Sequence, residues 1–260
     1  MHDWMYSLAG LLVGAMVGAT GVGGGSVMTP LLILLMGVAP HTAVGTDLLY
    51  ASLTKMVGVS VHHSEQRVDW QIVRRLATGS LPAAIATLLW MHLSQSSGVR
   101  SGVIIVALGI VLLITALTMV MRPYLNRLGK YLRITDPARF RKYQPILTVT
   151  AGAVLGFMVA LTSIGAGALC AVMLLFLYPL RLTPAKLVAT DLAHAIPLAL
   201  VAGAGHILLG NVDFIMLGWL LLGSIPGIII GAHFGGKLPD RLLQVAIAVV
   251  LGSVGLKLLG

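Results

Sequence analysis

Gly21-Val22-Gly23-Gly24-Gly25-Ser26 is the stretch that decides how this chain is read. It interrupts apolar sequence, with Trp4 to Ala19 on one side and Val27 to Val38 on the other. Each flank falls short of the ~20 residues that a helix needs to cross a bilayer. A glycine cluster between two short apolar pieces breaks a helix and leaves unpaired backbone N–H groups where the chain restarts. A helix restarting near Ser26 aims its positive N-terminal end at one spot, which suits an anion. Close helix packing through small residues is the competing reading.

Working outward, the chain around this stretch is that of a membrane protein. Of 260 residues, 58% are hydrophobic and 10% are charged, and the mean hydropathy is +0.98. The apolar runs are long and do not alternate, so the class is all-α, a polytopic helical membrane protein and not a β-barrel. A single cysteine, Cys170, excludes an intrachain disulfide and a cysteine metal cluster. No metal and no cofactor is expected. The net charge of +9 does not point to nucleic acid. Its positive residues concentrate in one linker and a few short loops, as the positive-inside rule requires of a membrane protein. Met1-His2-Asp3-Trp4 lacks a basic leader region, so no cleaved signal peptide is expected.

Ten apolar segments follow one another, at roughly 4–20, 26–39, 42–62, 70–91, 99–121, 145–162, 166–180, 184–209, 213–233 and 241–259. The second and seventh are short. Residues 122–144 form the one long polar stretch, with Arg122, Arg127, Lys130, Arg133, Arg139, Arg141 and Lys142 against Asp136. This linker divides the chain into membrane repeats 1–121 and 145–260. Shifted by 144 positions, Gly21 and Gly23 fall on Gly165 and Gly167, and Pro40 on Pro184. Thr46-Asp47-Leu48 falls on Thr190-Asp191-Leu192, His62 on His206, Asp69 on Asp213, and Gly79-Ser80 on Gly223-Ser224. Polar matches at one constant offset identify a duplication. The loops carrying Arg67, Arg74 and Arg75, then Arg181 and Lys186, then Lys237 and Arg241, belong with the basic linker on the cytoplasmic side. Their repeat mates carry no such bias, so the repeats are inverted and both termini are extracytoplasmic. Whether the short segments cross or form re-entrant hairpins stays open, giving 8–10 membrane segments.

Inverted repeats with short, Gly-interrupted segments in matching places mark a transporter site at the midplane. The candidate substrate-binding residues are Gly21, Gly23, Gly24, Gly25, Ser26 and Thr46 in the first repeat. Thr162, Ser163, Gly165, Gly167 and Thr190 are their counterparts in the second. Two positive helix ends and several hydroxyls suit a small oxyanion. Asp47 and Asp191 lie well inside apolar segments, where an acid is costly and therefore functional unless it caps a helix. They are read as proton-coupling residues, with His194 beside Asp191 as a relay. Lys55 lies two turns beyond Asp47 and must find an anion, which is either Asp or the substrate. His62, His63 and His206 sit at segment ends and read as interfacial.

The glycine stretch, Ala43-Val44-Gly45-Thr46-Asp47-Leu48-Leu49, and Val61-His62-His63 followed by Val68-Asp69-Trp70 together resemble the sulfite exporter TauE/SafE (TSUP) family of permeases. The resemblance covers nearly the whole chain. It implies a bacterial inner-membrane protein that moves sulfite, a sulfonate or a related organosulfur anion. Its partners would be that small anion and membrane lipid, with no nucleic acid. A homodimer is one of the oligomeric states left open. Lys55 and the basic linker are not part of the family's barest pattern. No Walker-type phosphate loop is present. Two rivals to a secondary transporter remain at this point. A passive anion channel is one, and an intramembrane enzyme built on an Asp47–Asp191 dyad is the other.

Overall fold

The computed structural model describes residues 3–20, 25–61, 68–96, 101–121, 123–125, 127–128, 131, 137–165, 167–234 and 240–259. Within these, ten helices of at least ten residues appear in two sets of five. The first set is α1 (Trp4–Thr20), α2 (Gly25–Leu34), α3 (Pro40–Val61), α4 (Trp70–Ser96) and α5 (Ser101–Val120). The second is α6 (Pro137–Thr162), α7 (Ala168–Leu177), α8 (Pro184–Leu208), α9 (Phe214–Phe234) and α10 (Asp240–Leu259). Helix α6 begins inside the basic stretch rather than after it. Pro40 and Pro184 are the first residues of α3 and α8, where a missing N–H costs nothing. Among the described residues, four helices are long and apolar enough to cross a membrane: α4, α6, α8 and α9. Helices α2 and α7 have 10 residues each, so they are about 15 Å long, half the hydrocarbon thickness.

Glycines set the direction of packing. A Cβ added at Gly10, Gly14 or Gly18 would strike the backbone of Leu220, Ser224 or Ile228 at 2.1–2.4 Å. The partner numbers rise together, so α1 and α9 run parallel. Gly152 meets Leu76 and Gly156 meets Ser80 in the same sense, so α4 and α6 are also parallel. By contrast Gly109 lies on Gly255 and Leu259, and Gly255 on Leu113, which makes α5 and α10 antiparallel. Since α1 is equivalent to α6 and α4 to α9, the two parallel seams are one contact made twice. With five helices per repeat and a reversal at each connection, this pairing holds only if the repeats point opposite ways. The fold therefore has two inverted-topology repeats, each lending its first helix to the fourth helix of the other. Close backbone contact is how helices associate in lipid, which offers no hydrophobic drive between them.

The outer faces carry large apolar side chains such as Leu35, Leu117, Ile215 and Leu222, as lipid contact requires. The inner core draws on both repeats, with Val44, Leu48, Leu112, Val159, Ile164, Leu198 and Ala202 in one cluster. Two matched stitches tie the repeats together. The Asp69 N–H donates to Thr190 Oγ1 at 3.1 Å, and the Asp213 N–H donates to Thr46 Oγ1 at 3.0 Å. Each Asp also caps its own helix. Asp69 Oδ1 accepts from the Ile72 N–H, and Asp213 Oδ1 accepts from the N–H groups of Ile215 and Met216.

Candidate functional site

The break between α6 and α7 is built by local chemistry. Thr162 Oγ1 donates to the Met158 carbonyl at 2.8 Å and accepts from the Ile164 N–H at 3.1 Å, ending α6. Ser163 follows at φ 59°, a left-handed conformation that L-residues seldom adopt, and Gly165 at φ 121°. The chain thus turns sharply and re-enters as α7 after Gly167, with the Cys170 N–H donating to the Gly165 carbonyl at 3.1 Å. All of Thr162, Ser163, Gly165 and Gly167 are buried. In the first repeat, Gly25 and Ser26 are the first two residues of α2. Gly21, Gly23 and Gly24 lie outside the described residues, as do His62 and His63.

Helices α3 and α8 bring the ionisable residues to these breaks. Asp47 and Asp191 are each the eighth residue of their helix. Neither caps an N-terminus, so the capping alternative falls. Both are buried, and Lys55 is only 2% exposed. Lys55 lies within electrostatic reach of Asp191, Cys170 and Asp47. Thr29 of α2 donates to Asp47 Oδ2. The Ser163 hydroxyl approaches Asp47 from the opposite repeat but stops short of a hydrogen bond. The Asp191 carboxyl faces the Cys170 thiol at the start of α7. Cys170 Sγ in turn lies 4.0 Å from His194 Nδ1, and His194 Nε2 lies 2.8 Å from Ser80 Oγ. Tyr50 stands in the first repeat where His194 stands in the second, and it faces Ser224, the mate of Ser80. One frame therefore holds Asp47–Tyr50–Ser224 and Asp191–His194–Ser80.

Buried polar atoms remain open in this frame. Asp47 Oδ1, Tyr50 Oη, Ser163 Oγ, Asp191 Oδ1 and Ser224 Oγ have no hydrogen-bond partner among the described residues. An unmet buried polar group costs about 1–3 kcal/mol, and several in one place mark a site for a polar ligand or for protons. No hydrogen bond joins Asp47 to Asp191 among the described residues. No group of three or more His, Cys, Asp or Glu side chains suited to a metal occurs among them either.

The structure thus gathers Thr162, Ser163, Gly165, Gly167, Asp47, Lys55, Asp191 and His194. Thr46 and Thr190 are buried beside them, but their hydroxyls accept the cross-repeat stitches. Sequence reasoning missed Thr29, Tyr50, Ser80, Cys170 and Ser224. The Ser80–Ser224 match at the constant offset was visible and pointed there. Tyr50 and His194 differ in type, so the offset gave no signal. His206 is buried rather than interfacial, with Nε2 2.8 Å from the Ala160 carbonyl.

The family described as "Sulfite exporter TauE/SafE" matches residues 6–258. The chain belongs to the TauE/SafE family. This TauE/SafE permease is 41% identical to "Probable membrane transporter protein YjnA" of Bacillus subtilis (strain 168), over 97% of this chain and 98% of the relative. It is 27% identical to "Probable membrane transporter protein YdhB" of the same organism, over 95% and 96%. No solved structure matches it. The TauE/SafE permease is thus a membrane transporter and not an enzyme, and the dyad reading gives way.

Proposed function

We propose that the protein is a secondary transporter that carries a small sulfur-containing oxyanion, sulfite or an organosulfonate, across the bacterial inner membrane. The observation that carries this reading is the set of open buried polar atoms around Lys55, contributed by both repeats. The Lys55 ammonium supplies the counter-charge. The Ser163 hydroxyl and the start of α7 supply donors, and Gly25 and Ser26 open α2 in the first repeat. Asp47 and Asp191 compete with the anion for Lys55. Protonating either carboxyl frees the ammonium for substrate, which couples anion movement to protons, and His194 relays the proton through Cys170 to Asp191. An anion leaving the cell is favoured by the inside-negative potential, at ~2.3 kcal/mol per charge per 100 mV. In this reading the 122–144 linker is cytoplasmic and both termini are extracytoplasmic.

Sulfite flux into proteoliposomes, with and without an imposed pH gradient, tests the proposal. Wild type should respond to the gradient, and Lys55→Met should reduce flux at least tenfold while remaining folded. Flux by Lys55→Met at the wild-type rate would remove the central role of the ammonium.

A further inference from the structure

A second polar site lies apart from the Lys55 centre and shares no residue with it. A cavity of about 380 Å³ opens between α4, α6 and the segment that follows α7, lined by Gln71, Arg75, Gln144, Tyr178 and Arg181 among others. That volume falls within the range of small-molecule sites.

The cavity wall is strongly basic. Arg75 Nη1 donates to Tyr178 Oη at 3.3 Å, and Tyr178 Oη lies 2.8 Å from Thr148 Oγ1. The Arg181 guanidinium sits 5.8 Å from the centroid of the same tyrosine ring. Arg181 donates to both Asp69 oxygens, at 2.7 and 2.8 Å, and to Gln71 Oε1 at 2.9 Å. Lys186 Nζ lies 3.3 Å from Asp69 Oδ2. Two cations thus share one carboxylate, and both of its oxygens are taken. Among the described residues no carboxylate pairs with Arg75. Arg75 thus faces a neutral phenol while Arg181 is held by Asp69, and guanidinium forks match tetrahedral oxyanions.

The repeat supplies an internal control. The Thr–Asp stitches occur in both halves, whereas this cluster does not. Positions equivalent to Arg75, Tyr178, Arg181 and Lys186 are Trp219, Leu34, Gly37 and Thr42. The basic cavity therefore exists on one face only. Trp70 and Tyr143, both exposed, adjoin Gln71 and Gln144 of its lining, and such aromatic residues are enriched at membrane–water interfaces.

We infer that this cavity is a second anion site, which takes a tetrahedral oxyanion either free in solution or as the phosphate of a lipid headgroup. Calorimetric titration of sodium sulfate into the full-length protein in phosphatidylcholine nanodiscs tests the first source. Binding of phosphatidylglycerol to the detergent-solubilised protein, read by native mass spectrometry, tests the second. In at least one arm, Arg75→Gln should weaken binding tenfold or more. Arg74→Gln, which removes the same charge from an exposed neighbouring position, should stay within twofold of wild type. Gln71→Glu keeps the acceptor for Arg181 and adds a negative charge, so it should match Arg75→Gln even if that variant folds poorly. Dependence on these two residues in the sulfate arm assigns a soluble anion, and dependence in the lipid arm alone assigns a headgroup. Wild-type affinity of Gln71→Glu and any folded Arg75→Gln in both arms overturns the site. Lys55→Met separates it from the central site, because that variant should keep the Arg75-dependent binding. Sulfate binding that needs Lys55 but not Arg75, together with lipid binding indifferent to Arg75 and Gln71, would also refute the inference.

Discussion

Ser163 is where backbone and side-chain demands meet. Its φ of 59° suits glycine, yet a hydroxyl is retained there, buried and aimed at Asp47. Ser163→Gly should relieve about 1 kcal/mol of strain and raise the melting temperature, while lowering anion flux severalfold. Unchanged flux in this variant would show that transport does not use the hydroxyl. The two carboxyls separate by a different measurement. Asp47→Asn and Asp191→Asn both mimic a protonated acid. If one of them couples protons, its Asn variant should still exchange anion but lose the pH dependence of net flux. Wild-type pH dependence in both variants would move the coupling elsewhere. The sequence made Asp47, Asp191 and Lys55 legible because a charge inside an apolar run stands out. It hid Thr29 and Cys170, because a hydroxyl or thiol in such a run looks like any other small residue until the fold brings it to a carboxyl.

At the level of helices, the two parallel seams are the two most extensive contacts between repeats. Gly14 and Gly156 face Ser224 and Ser80 backbone at 2.4 and 2.1 Å from a would-be Cβ. Backbone cannot yield as a flexible side chain does. Gly14→Val and Gly156→Val should therefore each destabilise by about 1–3 kcal/mol, measured by thermal aggregation in detergent. Gly218→Ala meets nothing within 4 Å. It should be neutral or stabilising by up to about 1 kcal/mol, so an equal loss there would break the argument. The ten segments were legible because apolar runs end at charges, glycines and prolines. The seams were not. A glycine every fourth residue in α1 announces a close neighbour without naming it, and the neighbour lies in the other repeat. The start of α6 at Pro137 was also hidden, since a basic helical turn on a headgroup surface has the composition of a linker.

Across the whole molecule the repeats differ in what surrounds Asp69 and its mate Asp213. Burial alone would raise the Asp69 carboxyl. The hydrogen bond and charge of Arg181, with Lys186 beside it, outweigh this and hold it below its ordinary range. The bridge is therefore fully present at neutral pH, begins to fail as pH falls below about 4, and is gone below the folded value. Asp69→Asn should cost about 1 kcal/mol at pH 7, the scale of a partly solvated pair, with the difference from wild type vanishing in strong acid. A constant difference across pH would assign the loss to capping alone. The duplication was legible at this scale, because Thr-Asp, Asp and Gly-Ser recur at one offset. The exchange of first helices was not, because no residue type records which of two equivalent fourth helices it will meet. That exchange makes the finished fold symmetric but its biosynthesis lopsided. Leu76 and Gly152 of the α4–α6 seam leave the ribosome 76 residues apart, whereas Gly10 waits 210 residues for Leu220. At 5–20 residues per second, α1 spends roughly 10–40 s in the bilayer before its partner exists. Its row of bare glycine backbone is then open to lipid, to a chaperone or to the insertion machinery. Truncation after α5 should leave α1 prone to degradation, and co-expression of residues 122–260 should rescue it, as pulse-chase labelling of the two fragments can measure.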